Sequence, residues 1–198
     1  MDMTVGVLAL QGAFREHAER MRALGLRAVE VRRPAQLDEV SGMILPGGES
    51  TVMGKLLLEW EIMEPLRRKI LAGMPVYGTC AGLILLCAGI ESHPEQPRLG
   101  LLDATVRRNA FGRQVDSFST GLPLPELGAE PFPAVFIRAP VLTRTGPDVQ
   151  VLATVEGRPV AVRQDWILGT SFHPELTTDI RLHQYFADMM AKAAGMRP

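Results

Sequence analysis

The chain has 198 residues, 46% of them hydrophobic and 22% charged, with a formal net charge of −1. That length suits one α/β domain with a full core, expected to span residues 1–198, and leaves no room for two large ones. The near-neutral charge gives no electrostatic footprint for nucleic acid or an anionic membrane, and no apolar run reaches the roughly 18 residues of a membrane span.

The opening stretch "MDMTVGVLALQG" lacks a basic n-region, so "TVGVLAL" (Thr4 to Leu10) reads as a strand buried on both faces rather than a signal peptide. From Ala13 to Leu24, the residues Phe14, His17, Ala18, Met21 and Leu24 recur at helical spacing. "RAVEVR" and "GMIL" then read as short strands, Thr51 to Leu71 as a helical stretch, and "PVYG" as another buried strand leading into a helix, "AGLILLCAGI". This alternation predicts a single doubly wound α/β domain, with a mostly parallel central sheet and helices on both faces. From about Asp103 the β-branched runs "VQVLATV", "RPVAVRQ" and "WILGTSF" predict an added antiparallel section in the second half. The proline-rich stretch Leu122 to Pro133 is expected to be an exposed loop. The last helix is expected over Thr178 to Ala194, with Thr178 as N-cap and Gly195 past its end.

The only two cysteines are Cys80 and Cys87. Without a secretory signal, a cytoplasmic chain with no disulfide framework is expected. Placed on one helix, the two would lie about 10 Å apart, too far to bridge. The four histidines, His17, His93, His173 and His183, show no metal-ligand spacing, so no metal and no cofactor is expected.

Gly78-Thr79-Cys80-Ala81-Gly82 has the form G-x-C-x-G, the thiol version of the nucleophile elbow. Flanking glycines let a strand and a helix close on a sharp turn that presents the nucleophile. The N–H of Ala81 would face an oxyanion. Cys87, deeper in the apolar run, reads as core filler. A thiol nucleophile needs a base and an orienter. "SFHPELT" offers His173 and Glu175, two apart across a proline that favours extended backbone and hence side chains on the same side. The bland alternative is a turn before the last helix. His17 and His183 on helices, and His93 in a loop, are not expected to be catalytic. "LPGGEST" after a strand offers bare backbone N–H groups, with Gly48 as a second oxyanion donor; its alternative is an ordinary turn with Ser50 or Thr51 capping the next helix.

A Gly-Gly loop, G-x-C-x-G and a late His-Pro-Glu together resemble the class I (triad) glutamine amidotransferases. "LALQGAFREH", "ILPGGEST", "GTCAGL", "RNAFGRQVDSF", "FIRAP" and "SFHPELT" are similar, in particular, to the glutaminase subunits of pyridoxal 5′-phosphate synthase. The resemblance implies Cys80 as nucleophile, His173 as general base and acid, and Glu175 as its orienter. It also implies a glutamine site lined by Gly48, Glu49, Ser50, Arg108, Ile137 and Arg138, and a loop at Gln11 that couples the site to a partner. The implied reaction is hydrolysis of L-glutamine through a γ-glutamyl thioester, with ammonia delivered to a separate pyridoxal 5′-phosphate synthase subunit in a heteromeric complex.

The chain itself carries no phosphate-cradling G-x-x-x-x-G-K-[ST], no G-x-G-x-x-G and no acceptor site, which agrees with an acceptor on another polypeptide. Three rivals are a glutaminase serving another synthase such as imidazole glycerol phosphate synthase, a free-standing γ-glutamyl hydrolase, and a non-catalytic module on the same fold.

Overall fold

A computed structural model describes residues 3–91, 93–108 and 117–195. Its central sheet has seven strands: β1 (Thr4–Leu8), β2 (Arg27–Val31), β3 (Gly42–Leu45), β4 (Val76–Thr79), β10 (Gln150–Val155), β11 (Arg158–Gln164) and β12 (Ile167–Thr170), in the spatial order β10-β11-β12-β4-β3-β1-β2. The five strands from β12 to β2 run parallel, while β10 and β11 add an antiparallel edge. The sheet is therefore mostly parallel, as the alternating pattern requires. Strand "WILGTSF" belongs to both regimes, since β12 pairs parallel with β4 and antiparallel with β11.

Helices cover both faces. α1 (Phe14–Ala23) and α5 (Arg181–Gly195) pack on one, where Ala18, Met21, Leu182 and Phe186 meet Val5, Val7, Ile44, Tyr77 and Leu168. α2 (Ser50–Glu59), α3 (Met63–Leu71) and α4 (Ala81–Leu86) pack on the other, against Leu8, Met43, Leu45, Val76 and Ile167. Adjacent residues such as Ile44 and Leu45, or Val76 and Tyr77, thus enter opposite cores. Such two-faced burial is why these strands read as unbroken apolar runs.

Two small sheets flank the main one: β5 (Cys87–Ile90), β6 (Leu102–Arg107) and β9 (Val141–Thr145) in one, and the hairpin β7 (Ser117–Leu122) with β8 (Phe132–Ile137) in the other. Phe132 and Phe136 of the hairpin are buried against Phe172, the residue before His173. This added section therefore supports the end of β12.

Four boundaries differ from expectation. The stretch Thr51 to Leu71 is two helices, broken where Glu61 takes a φ of 56°. The helix after Cys80 stops at Leu86, and Cys87 opens β5; an apolar run alone does not separate helix from buried strand. Leu122 to Pro133 is not a simple exposed loop, because Leu124 and Phe132 are buried and Pro125–Leu127 forms a 3-10 turn. The last helix starts at Arg181, whose N–H donates to Asp179 Oδ1 at 3.0 Å, and it includes Gly195. Thr178 does not cap it.

A Cβ on Gly82 would collide with the Leu45 carbonyl oxygen, and one on Gly78 would lie 2.7 Å from the Gly82 backbone. Backbone cannot yield as a side-chain tip can. Gly82→Ala should therefore lower unfolding free energy by about 1–3 kcal/mol in urea titration, typical of overpacking. An unchanged denaturation midpoint would contradict the close approach.

Candidate active site

The site collects at the C-terminal ends of the parallel strands, where the loops after β1, β3, β4 and β12 meet. After β4 the chain turns at Cys80, whose φ of 48° and ψ of −102° are adopted by few residues with a Cβ. Cys80 N–H donates to the Thr170 carbonyl at 2.8 Å, and its own carbonyl accepts from Ile84 N–H at 3.2 Å. The strained corner is thus held by the neighbouring strand on one side and by α4 on the other.

After β12, His173 N–H donates to the Val135 carbonyl of the hairpin at 2.8 Å. Its Nδ1 lies 2.7 Å from Glu175 Oε1, with Glu175 only 1% exposed. The pairing expected from sequence is present, but its backbone is not extended: Pro174–Leu176 is a 3-10 turn. That turn swings the carboxylate back under the ring. Because Nδ1 is engaged by Glu175, Nε2 is the nitrogen left for the thiol.

Burial would lower the His173 pKa, but hydrogen bonds to Cys80 and Glu175 outweigh it and hold the imidazolium up to about 10. For Glu175, burial alone would raise the pKa. His17 and His173 overcome that, and the carboxyl sits below its ordinary value.

The loop after β3 lies against both groups. A Cβ on Gly47 would run into the His173 ring, and one on Gly48 into Gln11 Oε1. Gln11 Oε1 accepts from Glu49 N–H at 2.7 Å, and Ala13 N–H donates to the Gly47 carbonyl at 3.0 Å, so the loops after β1 and β3 are laced together. The cap of α2 is Glu49, not Ser50 or Thr51: its carboxylate accepts from Thr51 N–H at 3.3 Å and Val52 N–H at 2.9 Å.

Glu49 also receives Arg108 Nη2 at 3.0 Å, while Arg108 Nη1 donates to Thr51 Oγ1 at 2.9 Å and Gln96 Oε1 at 3.0 Å. Arg108 is therefore a fixed guanidinium. Nothing in the sequence pattern marked Thr51 and Gln96 as its holders.

A cavity of about 320 Å³ opens here, lined by Gln11, Gly48, Glu49, Ser50, Cys80, Ala81, Ile84, Arg108, Ile137, Arg138 and His173. Every residue singled out from sequence is on this wall except Glu175, which stands behind His173. Ile84 was not anticipated; its position on the first turn of α4, one turn beyond Cys80, is the signal that marks it. Arg138 enters from the end of β8 with a φ of 42°.

Cys87 is fully buried and burial pushes its thiol pKa up, as core filler should be. His93 is exposed. His17, set aside on sequence, instead lies beside Glu175. Within "RNAFGRQVDSF", residues 109–116 fall outside the described residues. Among the described residues, no group of three His, Cys, Asp or Glu is arranged to hold a metal, and no helix is long and apolar enough to cross a membrane.

Residues 7–192 match the model of the SNO glutamine amidotransferase family. The chain belongs to that family. It is 55% identical to the pyridoxal 5′-phosphate synthase subunit PdxT of Carboxydothermus hydrogenoformans, over 96% of this chain and 99% of that one. Against the PdxT of Deinococcus radiodurans it is 56% identical, over 97% and 100%. A crystal structure of a glutamine amidotransferase, 52% identical, superposes with a TM-score of 0.90 over 94% of this chain and 98% of that one. A glutamine amidotransferase from Thermotoga maritima shares the fold at 16% identity, with a TM-score of 0.62 over 100% of this chain and 87% of that one. The class I amidotransferase fold inferred from sequence is the fold observed.

The two shifted groups bracket a stability window. Glu175 lies below its ordinary 4.5, so its contribution is present above that pH and is lost as pH falls through the folded value. His173 is raised from 6.5 to about 10, so its contribution is full below 6.5 and is lost as pH rises through about 10. The Tm difference between wild type and Glu175→Ala should be largest between pH 4.5 and 6.5 and should narrow on both sides. A difference independent of pH would show that the pair is not ionised in the fold.

Proposed function

We propose that residues 1–198 act as one glutaminase domain, cytoplasmic, which hydrolyses L-glutamine to L-glutamate and ammonia and hands the ammonia to a separate pyridoxal 5′-phosphate synthase subunit. The observation that carries this reading is a strained, glycine-flanked Cys80 in the same cavity wall as His173, with Glu175 on the far ring nitrogen. Membership of an amidotransferase family supports glutamine as the substrate, and likeness to PdxT subunits supports a synthase subunit as the partner.

In this mechanism His173 enters the reaction as an imidazolium paired with the Cys80 thiolate, and the thiolate sulfur attacks the side-chain carbonyl carbon of glutamine. The N–H groups of Gly48 and Ala81 receive the oxyanion. Ala81 is the first residue of α4, so its N–H has no acceptor within the helix. His173 then gives its proton to the amide nitrogen as the C–N bond breaks, releasing ammonia and leaving a γ-glutamyl thioester. A pKa of about 10 keeps that proton available at neutral pH. Water gives a proton to the now neutral His173 as its oxygen attacks the thioester carbon, the C–S bond breaks, and glutamate leaves as the thiolate–imidazolium pair is restored.

Arg108 receives the substrate α-carboxylate, with Glu49, Ser50 and the Ile137–Arg138 segment completing the pocket. Gln11, joined to the Gly48–Glu49 loop, is the contact through which docking of the synthase subunit reaches the oxyanion hole.

Cys80→Ala should lose about 10⁵–10⁶ in rate, as for other nucleophile deletions, and should still bind glutamine by calorimetry. Arg108→Ala should raise KM about 10- to 100-fold, the worth of one or two charge-assisted hydrogen bonds. Glutamate release should rise strongly when a pyridoxal 5′-phosphate synthase subunit is added. Equal rates with and without it would overturn the coupling, and activity in Cys80→Ala would overturn the triad.

A further inference from the structure

Glu175 has a second oxygen that the mechanism above leaves unused. Oε1 faces His173, whereas Oε2 is buried without a hydrogen bond of good geometry among the described residues. Its ion-pair contact is His17 Nε2, at 3.3 Å. His17 is 0% exposed, in α1, and the same Nε2 lies 3.1 Å from Thr79 Oγ1, one residue before the elbow cysteine. The other ring nitrogen, Nδ1, lies 2.9 Å from Nε2 of His183 in α5.

Two neutral imidazoles in such contact allow two proton placements. In one, His17 Nδ1–H donates to His183. The bare Nε2 lone pair of His17 then faces a carboxylate, and His183 Nδ1–H is a buried donor with no partner. In the other, His183 Nε2–H donates to His17 Nδ1, His17 donates its Nε2–H to Thr79 Oγ1 with the proton-bearing nitrogen 3.3 Å from Glu175 Oε2, and His183 keeps only an unpartnered lone pair. The second placement removes the lone-pair repulsion and leaves no orphaned donor, so it is the stable one.

We infer that His17 is a positioning residue for the glutaminase reaction: its protonated Nε2, fixed by His183 and Thr79, places positive charge density 3.3 Å from Glu175 Oε2 and so keeps Oε1 aimed at His173. This rests on the Cys80–His173–Glu175 reading. The groups facing His17 are Glu175 and His173 after β12, Tyr77 and Thr79 from β4, His183 from α5, and Glu16 on its own helix, while Arg20 of that helix acts on His183 and donates to the Glu175 carbonyl. Burial lowers the His17 pKa despite the attraction of Glu175, and burial also lowers that of His183, so both are neutral donors rather than cations. Without the N–H beside Oε2, the buried carboxylate takes up a proton at higher pH, and His173 loses its ionised partner.

The test compares His17→Asn with His17→Gln, assayed for glutamate release against pH in complex with the synthase subunit. The amide nitrogen of Asn reaches the place of Nδ1, whereas that of Gln reaches the place of Nε2. Asn should lower kcat about 10- to 100-fold with little change in KM, and should move the acid limb up by about one pH unit or more. Gln should restore both.

In a Glu175→Ala background, His17→Asn should cost less than about threefold more, since its effect runs through that carboxylate. An unmoved acid limb, Gln no better than Asn, or losses that multiply in the Glu175→Ala background would each overturn the inference alone. Full activity of Cys80→Ala in the same assay would overturn both this inference and the triad reading beneath it.

Discussion

The architecture of this site depends on keeping one carboxylate charged where water does not reach. An ionised Glu175 at 1% exposure would be strongly destabilising by itself, because an isolated buried charge loses its hydration without return. It is tolerated because two imidazoles face its two oxygens, His173 at 2.7 Å from Oε1 and His17 at 3.3 Å from Oε2. One of them, His173, gains in exchange a pKa raised to about 10. His173 and Glu175 are therefore a single electrostatic unit, and each would be mis-ionised without the other.

The rest of the fold can be understood as the frame for that unit. The β7–β8 hairpin buries Phe132 and Phe136 against Phe172 and accepts the His173 N–H, which fixes where the ring starts. The sheet brings β4 beside β12, so the elbow cysteine and the histidine come from adjacent strands in fixed register, Thr170 beside Thr79. On the other side of the pocket, β1 and β3 contribute a loop pair cross-linked by Gln11. Cys80 and His173 thus stand just past rigid strand ends, while the loops supply backbone donors and charge.

How legible this was from sequence depended on the range of each interaction. The elbow at Cys80 is encoded within five residues: glycines at 78 and 82 are there because backbone atoms of neighbouring elements occupy the space a Cβ would need. The parallel sheet is encoded in short apolar runs that alternate with helical spacing. Family likeness then carried Arg108, Ile137 and Arg138, which no local pattern distinguishes from surface residues.

What stayed hidden was set by distant partners. His17 and His183 meet across 166 residues of chain. Arg108 finds Glu49, Thr51 and Gln96 only after folding. The end of α4 at Leu86 was lost because Leu and Ile satisfy a buried strand and a buried helix equally well. Even the correct pairing of His173 with Glu175 arose through a 3-10 turn rather than the extended backbone that motivated it.

The central claim is that Cys80 is the atom that attacks a glutamine amide in this cavity. A glutamine analogue bearing a diazomethyl ketone in place of the side-chain amide reports on that directly, because it alkylates the sulfur that attacks it. Mass spectrometry of the labelled complex should find one adduct, on Cys80, that excess L-glutamine suppresses and His173→Ala slows. Label on Cys87 instead, or none on Cys80, would contradict the account.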